Sequence, residues 1–170
     1  MPEPKPAVVT NTTPLLSLIA ATGGLELLYG LYDWVIVPYE VAEEIRAGGK
    51  QGFGIAEFEH AGLEIRQQPV IINTWLRNSL DPGEASVIQT ALNEHFPLVC
   101  IDEAVGRRVA RLNGLTLTSS IGILLKAWSS GYPVDIPDTL ARMRSHGIWL
   151  SESVTRFAID YTRRRTSDQD

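Results

Sequence analysis

The sequence predicts an α/β fold built on a mainly parallel central sheet of four or five strands. The first observation behind this prediction is that short apolar runs alternate with longer segments of helical period, which is typical of β-α units. The second is that 170 residues with 44% apolar composition are enough for one well-filled core. We therefore expect a single domain over residues 1–170, with a core at about 7–150 and a C-terminal helix and basic tail at 151–170.

The N-terminal half begins with a strand and a helix. Ala7-Val8-Val9-Thr10 is an apolar run, after which Thr13 is a candidate N-cap and Pro14 a candidate first helical residue. Glycines and Pro38 separate the segments that follow. The elements predicted there are a short helix at Leu25–Tyr29, a strand at Trp34–Val37, a helix at Tyr39–Arg46, a glycine-rich loop at Ala47–Gly54, a short helix at Ile55–His60 and a weak strand at Leu63–Gln67.

The C-terminal half continues the alternation of strands and helices. Asp81-Pro82-Gly83-Glu84 is a helix start with Asp81 as the N-cap, and this helix runs to about His95. Asp102 is expected to cap a later helix, which Gly114 ends. The other predicted elements are strands at Leu98–Ile101 and Leu115–Leu117 and helices at Ile121–Ser130, Thr139–Ser145 and Val154–Arg164.

Charge and targeting signals narrow the classes of function. The 15 Lys and Arg residues are outnumbered by 20 Asp and Glu residues, so any contact with nucleic acid would be local. The N-terminus lacks a signal-peptide pattern, and no apolar run approaches the length of a membrane span. Cys100, the only cysteine, cannot form an internal disulfide. We therefore expect a cytoplasmic protein without membrane contact.

Polar side chains follow three of the predicted strands, and these are the first candidates for a site. Asn11, Asp102 and the run Thr118-Ser119-Ser120 occupy such positions. Ligands of open parallel sheets bind at the carboxyl ends of the strands. Glu44 and Glu84 lie on helices that can bring them to the same edge of the sheet, at the carboxyl ends of the strands, which we call the rim. Because grouped carboxylates repel one another unless a cation binds among them, this pattern favours Mg²⁺ or Mn²⁺, which prefer oxygen ligands.

Five short motifs together resemble the PIN-domain superfamily, in a branch related to the VapC-type toxins of prokaryotic toxin–antitoxin systems. They are Val9-Thr10-Asn11-Thr12-Thr13-Pro14-Leu15, Val37-Pro38 with Val41-Ala42-Glu43-Glu44-Ile45, Leu80-Asp81-Pro82-Gly83-Glu84-Ala85, Ile101-Asp102-Glu103 with Gly106-Arg107-Arg108-Val109-Ala110, and Thr118-Ser119-Ser120-Ile121-Gly122-Ile123-Leu124. They occur in the family's order over roughly residues 7–150, and their combination is specific although each motif alone is weak. The resemblance implies a three-layer α/β/α PIN-like domain.

The resemblance also implies an acidic quartet that binds a divalent metal. Position by position, the quartet falls on Asn11, Glu44, Glu84 and Asp102. The neighbouring candidates for substrate contact are Thr12, Thr118, Ser119, Arg107 and Arg108. The family usually has Asp where this chain has Asn11, whose amide oxygen can ligate a hard cation but brings no negative charge.

The activity implied by the resemblance is a metal-dependent endoribonuclease. Mg²⁺ or Mn²⁺ would be held by the quartet, and RNA would be cleaved by water to leave a 5′-phosphate. The toxin analogy further implies a small antitoxin that blocks the site, and a homodimer. The alternative from another class, indicated by Asn11 and the acidic net charge, is a catalytically degenerate PIN domain that binds RNA or a protein without cutting. A phosphoacceptor receiver domain ranks lower, because it needs an acidic pair after the first strand.

Each candidate site residue also has a purely structural interpretation. Asp81 and Glu84 have the spacing of a capping box, in which the Glu84 carboxylate would only satisfy a backbone N–H. Asp102 has the position of an ordinary N-cap, and Asn11 has that of a turn former.

Two further choices stay open at this point. Glu40 and Glu43 share a helix with Glu44, and most such glutamates lie on a solvated face; the match to the motif favours Glu44. Arg107 and Arg108 lie either on an exposed structural face or in contact with phosphate near the acidic rim.

Overall fold

The computed structural model describes residues 3–48 and 52–168, which form an α/β structure around one sheet. The strands are β1 (Ala7–Thr10), β2 (Trp34–Val37), β3 (Glu64–Ile65), β4 (Leu98–Cys100) and β5 (Thr116–Thr118). In the described chain the sheet has five strands in the order β3-β2-β1-β4-β5, and all neighbouring strands are parallel. The predicted α/β class with a parallel sheet is confirmed.

Helices flank this sheet on both faces and complete a three-layer α/β/α arrangement. They are α1 (Thr12–Thr22), α2 (Leu27–Leu31), α3 (Tyr39–Ala47), α4 (Ile55–Ala61), α5 (Thr74–Ser79), α6 (Pro82–Glu94), α7 (Ala104–Leu112), α8 (Ser120–Ser129), α9 (Ile136–Ser145) and α10 (Glu152–Ser167). Helix α6 contacts β1 and β4 and is flanked by α5 and α7, whereas α1 packs against α8 and α9. Across residues 3–48 and 52–168, no helix has the length and apolar character needed to cross a membrane.

The central position of β1 determines where the site lies. Val9 of β1 is aligned with Ile36 of β2 on one side and with Val99 of β4 on the other. The three strands therefore end at the same edge of the sheet, where the Asn11 N–H donates a 3.1 Å hydrogen bond to the Cys100 carbonyl. The carboxyl end of β1 is thus fixed between its neighbours, and Asn11 is held at that edge.

The hydrophobic core fills the space between the sheet and the two helical layers. Val9 and Val99 of the sheet are fully buried, and so are Leu18 of α1 and Ile88 of α6 to within 1%. Strands covered on both faces need continuous apolar residues, which explains the runs in the sequence. Burial of each such side chain stabilises the folded state by about 1.5–3 kcal/mol, so the strands and helices that bear the site residues are anchored in the core.

Two predicted N-caps differ from those observed. Helix α1 begins at Thr12, and its N-cap is Asn11 instead of Thr13, because Asn11 already has the extended backbone that ends the strand. Pro14 therefore lies in the first turn and not at its first position. Helix α7 begins at Ala104 with Glu103 as the N-cap, so the prediction that Asp102 caps this helix is wrong. The Asp102 side chain is engaged by α8 instead.

The remaining differences between the predicted and the observed helices are smaller. Helix α2 begins two residues later than the predicted Leu25–Tyr29, and α9 begins at Ile136, after the Asp135 N-cap. Helix α5 was not predicted, because Leu76 is its one buried residue and leaves no helical period to detect. The predicted loop Ala47–Gly54 includes residues 49–51, which lie outside the described residues.

Candidate metal centre

Three side-chain oxygens surround Gly83, the second residue of α6. They lie 2.7, 3.3 and 3.4 Å from the position that a Cβ atom on Gly83 would take, and they belong to Glu44 (Oε2), Asn11 (Oδ1) and Asp81 (Oδ1). Any side chain at Gly83 would displace them. Asn11 is 4% exposed, and its Oδ1 accepts no hydrogen bond from the described residues. A buried acceptor without a donor destabilises a protein by about 1–3 kcal/mol. A ligand that bound this oxygen would remove that cost.

Glu44 is the glutamate of α3 that faces this group. The Thr12 hydroxyl donates a 2.9 Å hydrogen bond to Glu44 Oε2, which links the Glu44 side chain to the first residue of α1. The other two glutamates of the helix have different partners: Glu40 accepts a hydrogen bond from the Val70 N–H, and Glu43 lies 3.6 Å from Arg46. Geometry therefore separates Glu44 from its two neighbours.

Glu84 supplies the buried carboxylate of the group. Its backbone N–H donates a 2.9 Å hydrogen bond to Asp81 Oδ1, so Asp81 caps α6 as predicted. The carboxylate itself does not complete a capping box: Glu84 is 4% exposed, and its Oε1 has no hydrogen-bond partner within the described part of the chain. Among residues 3–48 and 52–168, this buried oxygen therefore lacks the hydrogen bond that normally stabilises a buried carboxylate.

The proton affinity of Glu84 reflects this surrounding. Burial, together with the nearby carboxylates of Asp81, Glu103 and Glu44, raises the pKa of Glu84 to about 7 from its ordinary value of 4.5. Both causes disfavour the charged form of the carboxyl group. A cation among these carboxylates would oppose both causes, since it brings the opposite charge.

Gly106 on α7 is the second glycine that the site requires. A Cβ atom at Gly106 would lie 2.6 Å from Glu84 Oε1 and 2.9 Å from Ile101 Cγ2. Helix α7 therefore lies closer to the Glu84 carboxylate than it could with any residue other than glycine at position 106. The close approach brings the N-termini of α6 and α7 together at the rim.

An acidic cluster results from this approach. Carboxylate oxygens of Asp81, Glu84 and Glu103 all lie within 4.8 Å of one another. Asp81 and Glu103 are exposed, whereas Glu84 is buried beneath them. The cluster thus has a buried base and an open, solvent-facing side.

Asp102 is held on the neighbouring flank of the rim. The Ser120 N–H and hydroxyl each donate a 2.8 Å hydrogen bond to its carboxylate, one to Oδ1 and the other to Oδ2. Burial raises the pKa of Asp102, while these hydrogen bonds and the positive charge of Arg107 oppose that shift. The Asp102 carboxylate is therefore oriented by Ser120, the first residue of α8, and not by capping α7.

Arg107 holds the ends of two strands together. Its Nη1 donates hydrogen bonds of 2.8 Å to the Ile101 carbonyl and 3.0 Å to the Thr118 carbonyl. These carbonyls stand at the carboxyl ends of β4 and β5. The guanidinium is therefore engaged by the backbone beside Asp102, whereas Arg108 is exposed on the same helix.

A cavity of about 570 Å³ opens beside Asp102 and Glu103. Arg107 and Ser119 contribute polar groups to it, and its outer wall is apolar, formed by residues that include the exposed Trp149 and Phe157. The Ser119 hydroxyl accepts a 3.0 Å hydrogen bond from the Gly122 N–H as the N-cap of α8. The Thr118 side chain lies beside this cap, where its Oγ1 would be 2.9 Å from a Cβ atom on Gly122.

The structure brings Asn11, Glu44 and Glu84 together around Gly83 and pairs Asp102 with Ser120 instead. Asn11 and Glu44 lie around Gly83, and the charge of Glu44 acts on Glu84. Asp102 lies with Ser120 on the flank, next in the chain to Glu103.

Sequence reasoning missed two acidic residues at this rim, and it named Ser120 among the strand-end candidates without giving it a role. Asp81 was considered only as a cap, and Glu103 was not considered as a ligand although it directly follows Asp102 in the motif. Ser120, the last residue of the run Thr118-Ser119-Ser120, engages Asp102 where its two predecessors do not.

The residues at the rim fit a hard divalent cation. The donor set consists of carboxylate and amide oxygens, which are the ligands that Mg²⁺ and Mn²⁺ prefer. Two of these oxygens, Asn11 Oδ1 and Glu84 Oε1, are buried without any hydrogen-bond donor among the described residues. A bound cation would give both of them a partner and offset the repulsion among the carboxylates.

Comparison with known proteins gives the family of the chain. None of the proteins with curated function matches this sequence. A family model described as a PIN domain matches residues 7–163 and so covers all five strands of the described sheet and the acidic rim. Proteins of this kind have a nuclease fold and generally use divalent metals. The chain belongs to the PIN-domain family.

Proposed function

We propose that this protein is a metal-dependent endoribonuclease of the VapC toxin type, in which Glu44, Glu84 and Asp102, helped by Asn11, bind Mg²⁺ or Mn²⁺. The observation that carries the proposal is the Glu84 carboxylate, which is 4% exposed and lacks a hydrogen-bond partner for Oε1 in the described chain. A buried carboxylate beside other acids is unfavourable unless it serves a ligand. Family membership supports a nuclease as the class of protein.

The chain's own residues have separate roles in this proposal. Glu44 and Glu84 supply negative charge to the metal, and Asn11 supplies a neutral oxygen. Thr12 orients Glu44, and Ser120 orients Asp102. When bound, the cation would lower the pKa of water and neutralise charge on the phosphodiester transition state.

RNA contacts and protein partners complete the proposal. Arg108 is exposed on α7 and is available to a phosphate, while Thr12, Thr118, Ser119 and Arg107 would shape the substrate side of the rim.

A small antitoxin would block the acidic rim, and the apolar wall at Trp149 and Phe157 supports this, because it offers such a peptide an anchor next to Asp102. A homodimer, a single domain over residues 1–170 and a cytoplasmic location belong to the same proposal.

Cleavage of RNA with Mn²⁺ tests the proposal directly. We would compare the full chain with Asp102→Ala and Glu84→Gln on a panel of structured RNAs, with and without EDTA. We expect Mn²⁺-dependent cleavage by the full chain and a loss of about 100-fold or more in each variant, since both change charge at the metal. The control is Glu152→Gln, an exposed change at the start of α10, which should cleave normally.

The rival function is a catalytically degenerate PIN domain that binds RNA or protein, and Asn11 is the observation that favours it. Binding of Mn²⁺ without cleavage by the full chain, together with cleavage by Asn11→Asp, would support this rival. Absence of cleavage in the full chain, in Asn11→Asp and in every tested RNA would overturn the nuclease proposal.

A further inference from the structure

We infer that the cation is held by Asp81 and Glu103 in addition to Glu84, so that the N-caps of two helices provide the negative charge that Asn11 does not. This inference rests on the proposed function, because it concerns the same metal. It adds two ligands that the acidic quartet does not contain.

The first support is the separation of the oxygens. Those of Asp81, Glu84 and Glu103 lie within 4.8 Å of one another. Oxygens on opposite sides of a Mg²⁺ ion are about 4 Å apart, because each bond is about 2.1 Å long. One ion can therefore contact all three carboxylates after small side-chain movements.

The second support is independent of the clustering. Glu84 Oε1 lies 2.6 Å from the position that a Cβ atom on Gly106 would take. It therefore lies against α7, whose N-cap is Glu103. It has no hydrogen-bond donor among the described residues, although the residue is 4% exposed. Asn11 Oδ1 is likewise without a donor in the described chain, and it lies against Gly83 together with Asp81 Oδ1. One unsatisfied buried oxygen thus belongs to a member of the acidic group, and the other lies beside Asp81, a second member.

Helix capping uses only one of the carboxylate oxygens of Asp81 and Glu103 in the described chain. Asp81 uses Oδ1 to accept the Glu84 N–H, which leaves its second oxygen available. Glu103 occupies the N-cap position of α7, yet its side chain makes no capping hydrogen bond within the described residues. An N-cap carboxylate that does not cap has no local structural reason to remain beside two other acids.

Exposure is also consistent with a working metal site. Asp81 and Glu103 face solvent, while Glu84 anchors the cluster from below. The cluster is therefore open on the side from which RNA would approach.

The test is a titration of the full chain with Mn²⁺, in which free Mn²⁺ is measured by electron paramagnetic resonance. We would compare Asp81→Asn and Glu103→Gln with matched controls. Asp135→Asn is the control for Asp81→Asn, because Asp135 Oδ1 also caps a helix with Pro in its first turn, through a 2.9 Å hydrogen bond from the Asp138 N–H. Glu26→Gln is the control for Glu103→Gln, because Glu26 is also an exposed N-cap without a capping bond in the described chain.

We expect Asp81→Asn and Glu103→Gln each to weaken Mn²⁺ binding by on the order of tenfold or more, while both controls bind as the unchanged protein does. Since Asn caps helices as well as Asp does, Asp81→Asn should remain folded, and a circular dichroism melt checks this. Unchanged Mn²⁺ affinity in both variants, with loss in Glu84→Gln, would overturn this inference and leave the proposed function standing. No Mn²⁺ binding by the unchanged protein would overturn both.

Discussion

The Thr12 hydroxyl, at the start of α1, donates a 2.9 Å hydrogen bond to Glu44 Oε2 on α3. Thr12 follows Asn11, so one bond fixes the glutamate beside the amide oxygen. We expect Thr12→Val, which keeps the side-chain shape, to lower the free energy of unfolding by about 1 kcal/mol and to reduce RNA cleavage by roughly tenfold. Urea unfolding and initial cleavage rates measure the two effects.

The matched control for this change is Thr22→Val at the other end of α1. Its hydroxyl donates to the Leu18 and Gly24 carbonyls, so its loss should affect stability and leave cleavage unchanged. Equal loss of cleavage in the two variants would show that Thr12 acts through helix stability alone.

Gly106→Ala should damage the site although alanine favours helices. The new Cβ atom would meet Glu84 Oε1 at 2.6 Å and Ile101 Cγ2 at 2.9 Å, and overpacking of this kind costs about 1–3 kcal/mol. We expect lower stability and loss of Mn²⁺ binding. A double-mutant cycle with Glu84→Ala checks the cause: the cost of Gly106→Ala should shrink when the carboxylate is absent. Strictly additive effects would contradict the contact.

The stability of the metal-free protein should fall as pH rises towards 8. The folded pKa of Glu84 is about 7 and its ordinary value is 4.5, so the folded state binds this proton more tightly than the unfolded state does. Its contribution is complete below pH 4.5 and is lost as pH rises through about 7. The loss amounts to about 3 kcal/mol, since one pKa unit corresponds to about 1.4 kcal/mol. Urea unfolding in EDTA at several pH values measures it.

Glu84→Gln isolates the pH effect of this carboxyl group. The glutamine does not titrate, so the variant should lose less stability between pH 5 and pH 8 than the unchanged protein. Parallel pH profiles of the two proteins would refute the assignment.

Asn11→Asp should strengthen metal binding and weaken the metal-free protein. The side chain is 4% exposed and its oxygen lies near Glu44 and Asp81, so a new charge adds both attraction for a cation and repulsion without one. We expect Mn²⁺ affinity to rise by roughly tenfold and stability in EDTA to fall by about 1 kcal/mol. Isothermal titration calorimetry measures the affinity, and Asn11→Ala, which removes the oxygen, should bind more weakly than either. Equal affinity of the Asp and Asn forms would refute the role of charge at this position.

Arg107 and Arg108 should differ sharply when each is replaced by alanine. Arg107→Ala removes the hydrogen bonds to the Ile101 and Thr118 carbonyls and should lower the free energy of unfolding by about 2 kcal/mol or more. Arg108→Ala removes an exposed side chain and should change stability by less than about 0.5 kcal/mol. RNA affinity at two salt concentrations then tests whether Arg108 contacts phosphate, because loss of such a contact reduces the salt dependence. Equal stability losses would contradict the strand-holding role of Arg107.

The parts of the fold that could be predicted are those with a local signal. Apolar runs predicted β1, β2 and β4, because strands buried on both faces leave continuous hydrophobic sequence. Helix α5 escaped prediction, since one buried residue, Leu76, carries no period. The Asp102 cap was mispredicted for a different reason: its partner Ser120 lies 18 positions away, and a local motif carries no information about such a distant hydrogen-bond donor.

The candidate site shows the same division. Motif matching selected Glu44 over Glu40 and Glu43, and of these three glutamates it is Glu44 that accepts the hydrogen bond from Thr12. The proximity of Asp81 to Glu103 depends on how closely α6 and α7 pack around Gly106. That distance is a property of the assembled sheet and helices, so no segment of the sequence predicts it alone.

The buried oxygen of Asn11, which has no hydrogen-bond donor among residues 3–48 and 52–168, has an evolutionary consequence. Asn11 and an aspartate have nearly the same shape, and the position of Oδ1 is fixed by β1 and by the glycine at position 83. Codons for Asn and Asp differ only in their first base, so one nucleotide change could exchange them without rebuilding the backbone. Descendants of this gene can therefore raise or lower the charge at this rim, and with it the hold on a cation, while keeping the fold intact.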